Sequence, residues 1–120
     1  MENKDTSRQY DLEERTYKFA YDVMSFVKSL PRTITNVENV KQLVRSAGSI
    51  GANYIEANEA LSKKDFLMRV KICRKEAKET IYWLRLLDMG DSNCKKSCDS
   101  LRCEATELMK ILGAIIEKSK

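Results

Sequence analysis

SKKDFLMRVKICRKEAKETIYWLRLL, residues 62 to 87, carries apolar side chains at Phe66, Val70, Cys73, Ala77, Ile81 and Leu84. Steps of three and four residues place all six on one side of an α-helix, and no part of the run alternates as a half-buried strand does. Ser62, with Asp65 three residues on, is a capping-box signal for the start of this helix, and Gly90 is a stop signal beyond its end.

The same period recurs on both sides. Upstream, Leu12, Phe19, Val23, Phe26, Val27 and Leu30 form one stripe of a helix from about Tyr10, which Pro31 ends. Thr35-Asn36-Val37-Glu38 then reads as a second capping box, opening a helix that buries Val40, Leu43, Ala47, Ile50, Tyr54 and Leu61 and stops near Leu61. Downstream, Asp91 or Ser92 caps a fourth helix whose Cys94, Cys98, Leu101, Ala105, Leu108, Leu112 and Ile115 share a face. Four amphipathic helices with short connections specify an all-α, up-and-down antiparallel four-helix bundle. A chain of 120 residues has room for one such domain, here 10–120, and the polar residues 1–9 are expected to fray.

Composition agrees with helix and narrows the function. With 42% hydrophobic and 33% charged residues but only 4 Gly and 1 Pro, the chain is poor in turn formers. No apolar run approaches the roughly 18–20 residues that cross a bilayer, and the N-terminus is too polar for a signal peptide, so a cytoplasmic protein is expected. The absence of His excludes Ser-His-Asp and Cys-His hydrolase arrangements. Four cysteines without a CxxC pair fit no ordinary zinc pattern. Cys73, Cys94 and Cys98 fall on apolar stripes and read as small core residues, whereas Cys103 falls opposite as an exposed thiol. Glu56 with Glu59, and Glu76 with Glu79, have the i,i+3 spacing of a metal or acid/base pair, but neighbouring Lys and Arg offer simpler partners. Neither metal nor cofactor is expected, and the reading is non-enzymatic.

Charge is distributed unevenly. The net +4 is modest, yet Lys63 to Lys78 holds seven basic residues against Asp65 and Glu76, which accounts for the whole positive excess. At 100° per residue Lys64, Lys71, Lys75 and Lys78 lie within about 60° of one another, with Arg74 and Arg85 on the flank. Several sit in the first half of the helix, where the macrodipole disfavours cations, so helix stability does not explain them. Neutralising phosphates would; a solvated face is the plainer alternative.

Two further patterns stand out. Arg45 to Asn53 contains too many small residues for a helix built on propensity, which favours close packing against a neighbouring helix. Arg45, Ser49 and Glu56 lie away from the core and either join helices or subunits or stand in solvent. Helix one also has a second apolar strip, Tyr17, Tyr21 and Met24, and helix three has Ile72, Trp83 and Leu86 away from its core face. One core cannot take both strips, so a subunit contact is expected.

Tyr17-Lys18-Phe19-Ala20, Leu30-Pro31-Arg32, QLVRSAGSIGANYIEA at 42–57, Ser62 to Phe66 and KEAKETIYWL at 75–84 occur in this order. They resemble the bacterial four-helix-bundle family encoded in 23S rRNA intervening sequences, once labelled ribosomal protein S23, over about Tyr17 to Leu87. The resemblance implies a homopentamer and makes Arg45, Ser49, Asn53 and Glu56 a polar face of the family motif. It also implies kinship with the accessory variability proteins of diversity-generating retroelements, which bind a reverse transcriptase and nucleic acid. RNA or DNA binding through the basic stripe is therefore the first expectation. A scaffold that docks a protein such as a reverse transcriptase is the second.

Overall fold

The computed structural model describes the backbone of residues 4–120 and the side chains from Asp11 onward. Of the residues 1–9 expected to fray, 1–3 lie outside the described residues, while the first helix begins at Lys4, six residues before the start expected near Tyr10. Four helices follow in order: α1 (Lys4–Val27), α2 (Ile34–Asn58), α3 (Lys63–Leu86) and α4 (Ser92–Ser119). Each helix packs on its sequence neighbours and α1 also packs on α4, leaving α1 diagonal to α3 and α2 diagonal to α4 among the described residues. This is the up-and-down bundle, 47 Å along its longest axis.

Side-chain caps set the starts. The Ser62 hydroxyl accepts the Asp65 N–H at 3.0 Å and Asp91 accepts that of Cys94 at 2.9 Å. For α2 the cap is Thr33, two residues earlier than expected, accepting from Asn36 N at 3.1 Å. The tertiary structure selects this register because it buries Asn36 in the turn region. There its amide donates to the Pro31 and Asp88 carbonyls, both at 3.0 Å, and accepts the Asp88 N–H at 3.1 Å. One side chain thereby ties the α1–α2 connection to the α3–α4 connection. Gly90, at φ +77°, lies in the latter rather than at the end of α3, and a Cβ there would sit 2.9 Å from Pro31 Cγ.

The core contains Phe19, Val23, Leu43, Ile50, Val70, Leu84, Leu108 and Leu112, all essentially inaccessible. Six expected core positions differ. Leu61 is 99% exposed, because α2 ends at Asn58 and the chain is already turning toward the Ser62 cap. In α4 Ile116 takes the buried place and Ile115 is only partly covered. Val27, Val40, Phe66 and Ile81 are likewise partly buried. Cys73, Cys94 and Cys98 are buried and Cys103 is exposed.

Candidate nucleic-acid interface

Three acidic residues of α3, Asp65, Glu76 and Glu79, fall on the side of the helix that faces α2. Arg45 of α2 meets two of them: its guanidinium donates to Glu76 Oε1 and Glu79 Oε2, each at 3.3 Å. Both interactions raise the Arg45 pKa, hydrogen bonding to Glu76 foremost. Glu76 is buried, and its Oε2 has no hydrogen-bond partner among the described residues. Further along the same seam, Arg69 donates to Asn53 Oδ1 at 3.2 Å, and Asn53 donates to the Ser49 carbonyl at 2.9 Å. Deeper in the seam, the Thr80 hydroxyl lies 2.9 Å from that of Ser46. Arg45 and Asn53 of the family motif thus join α2 to α3, Ser49 supplies a backbone acceptor, and Glu56 is exposed.

This seam determines what remains on the opposite face of α3. With its acids turned to α2, the helix presents Lys64, Lys71, Arg74, Lys75, Lys78 and Arg85 to solvent. Among the described residues none of these six lies within 4.0 Å of a carboxylate, whereas Arg15, Lys18, Lys41, Arg45, Arg102 and Lys120 all do. The stem of Arg74 runs over α4, its Cδ 4.0 Å from where a Cβ on Gly113 would stand. A cleft of about 590 Å³ lies elsewhere, lined by Leu12, Tyr54, Phe66 and Ile111 among others.

The apolar strips are only partly as expected. Tyr17, Tyr21 and Met24 are 67%, 61% and 52% exposed. On α3, Ile72 and Trp83 do not belong with them. Both are partly buried because they point toward the α2 seam, and Trp83 packs on the core. Leu86 is exposed, and so is Tyr82, which the sequence reading missed. Its signal was present: eighteen residues make five full turns, so Tyr82 has the same angular position as Lys64. Val37 and Ile55 on α2 are exposed apolar residues that were also missed.

Fold and surface together define a four-helix-bundle protein with one acid-free basic helix face. The chain belongs to the 23S rRNA-intervening sequence protein family, whose model matches residues 8–114. It is also similar to a solved protein of unknown function from the S23 ribosomal protein family of Bacteroides thetaiotaomicron VPI-5482. Identity is 33% and the TM-score 0.78, over 91% of this chain and 97% of the other. No curated protein matches it.

Proposed function

We propose that the protein is a non-enzymatic, cytoplasmic, self-associating helical module that binds the phosphates of RNA or DNA through the outer face of α3. The observation that carries this reading is the clustering of charge. Lys64, Lys71, Arg74, Lys75, Lys78 and Arg85 share one exposed face of a single helix, and the acids of that helix, Asp65, Glu76 and Glu79, all lie on another side of it. Unneutralised cations in a row cost self-repulsion, which a polyanion relieves while releasing its own counterions. Assembly as the homopentamer implied by the family resemblance would repeat the stripe around a ring and raise avidity with no additional type of interaction.

The test is fluorescence anisotropy with labelled RNA and DNA of mixed sequence across a salt titration. The triple variant Lys71→Glu, Lys75→Glu, Lys78→Glu is expected to weaken binding across all sequences. It should also reduce the salt slope by about 0.7–0.9 for each phosphate that is no longer neutralised. Binding unchanged by the triple substitution overturns the reading.

A second reading has its own observation, the exposed Tyr17, Tyr21 and Met24. The kinship with accessory variability proteins that the resemblance implies would make that strip a dock for a reverse transcriptase. Capture of such a partner that survives nuclease treatment and is abolished by Tyr17→Glu favours docking over self-association.

A further inference from the structure

Tyr82 stands on the basic face toward the C-terminal end of α3, one turn beyond Lys78 and at the angular position of Lys64, and is 53% exposed. An aromatic side chain half open to water beside six uncompensated cations is a poor choice for a merely solvated surface. Its ring is not free-standing: Trp83 meets it edge-to-face at a centroid distance of 5.1 Å and an interplanar angle of 78°, and Trp83 is itself packed on the core. That contact restricts the rotation of the Tyr82 ring. A positive track with an interleaved aromatic ring is the arrangement by which proteins hold unpaired nucleotides, the cations following the phosphates and the ring taking a base on its face. A duplex keeps its base faces inside the stack and offers the ring nothing.

Building on the phosphate-binding reading above, we propose that Tyr82 is a base-stacking platform that makes the α3 face selective for single-stranded over double-stranded nucleic acid. Lys71, Arg74, Lys75 and Lys78 track the backbone, and Tyr82 receives one unpaired base at the end of that track. The stack needs a π-face and no particular base, so selectivity is for strandedness rather than sequence.

The experiment compares Tyr82→Ala and Tyr82→Phe with the unmodified protein on a single-stranded 12-mer RNA, the DNA of the same sequence, and their duplexes. Tyr82→Ala is expected to weaken single-strand binding by about five- to 150-fold, the range spanned by one base–aromatic stack, and to leave duplex binding and the salt slope unchanged. Tyr82→Phe should stay within about twofold of the unmodified protein, because the ring and not the hydroxyl stacks. Trp83, the single tryptophan, should change its fluorescence with single strands and not with duplexes. Equal loss on single strands and duplexes, or no loss on either, overturns the stacking role while the triple lysine variant still tests phosphate binding separately. If the unmodified protein binds neither polymer at low salt, the phosphate reading falls and the stacking role falls with it.

Discussion

Gly48 and Gly51 sit one turn apart in α2 and do opposite things. A Cβ at Gly51 would lie 3.0 Å from Thr16 Oγ1 and 3.3 Å from Thr16 Cβ, so this glycine is where α1 comes close. Thr16 is 1% exposed, and its hydroxyl donates to the Glu13 carbonyl at 3.0 Å, which leaves it little room to give way. A Cβ at Gly48 would meet nothing within 4 Å. Gly48→Ala should therefore stabilise the fold by about 0.5–1 kcal/mol through helix propensity alone. At Gly51 the overpacking cost, typically about 1–3 kcal/mol, exceeds that gain, so Gly51→Ala should lower stability. Denaturant unfolding of the two variants checks both signs. The richness of this stretch in small residues was legible in the sequence, but which glycine needed to be small was not. That depends on where α1 crosses. Burial pushes the Cys73 thiol up to about 12, in keeping with its role as an inert core group.

Helix α4 shows how far an element can be read locally. Its cap was narrowed to Asp91 or Ser92 from sequence, and the structure uses Asp91, whose carboxylate accepts the Cys94 N–H. That bond holds the Asp91 carboxyl below its ordinary pKa of 3.8. A depressed folded-state pKa contributes stability that is fully present above the unfolded value and is lost as pH falls through the folded one. The cap's charged contribution should thus be intact at neutral pH and fade below about pH 4. Asp91→Ser keeps a capping oxygen without a titrating charge, so the stability gap between it and the unmodified protein should narrow from about pH 5 to about pH 2. Urea unfolding across that range is the measurement; a constant gap would contradict it. The α2 cap was misplaced for a reason no local rule contains: Thr33 and Thr35 both suit capping, and only the burial of Asn36 between the two connections distinguishes them.

Assembly belongs to the whole molecule. The bundle is closed on the α2–α3 side by the Arg45 and Asn53 seam, and Arg15 links α1 to α4 through Glu104 at 2.7 and 2.8 Å. The outer face of α1 has no such cover: Tyr17, Tyr21 and Met24 remain exposed, with Val37 and Ile55 exposed on the neighbouring α2. Exposed aromatic and Met side chains of this kind are usual material of a subunit interface. If the chain self-associates as proposed, the paired substitution Tyr17→Glu and Met24→Glu should reduce the mass in sedimentation to that of one chain, with helix content by circular dichroism unchanged. Persistence of the assembly would remove α1 from the interface. Of the six interface residues expected from sequence, Ile72 and Trp83 are partly buried, Trp83 against the core, while Tyr17, Tyr21, Met24 and Leu86 are exposed. A helical wheel gives angles but not the width of the neighbours, so side chains at the edge of the apolar arc cannot be assigned from it.

The periodic spacing of apolar residues and the caps at Ser62 and Asp91 were enough to specify four helices and their antiparallel order, because those signals act within one or two turns. The concentration of Lys and Arg on one face of α3 was equally plain, being a property of a single helix. Packing decided the rest. It set Arg45 against Glu76 and Glu79, drew Trp83 inward while leaving Tyr82 out among the lysines, and chose Thr33 over Thr35. Each of these depends on which helix lies alongside and how closely, a relation between residues up to 52 positions apart that no local pattern encodes.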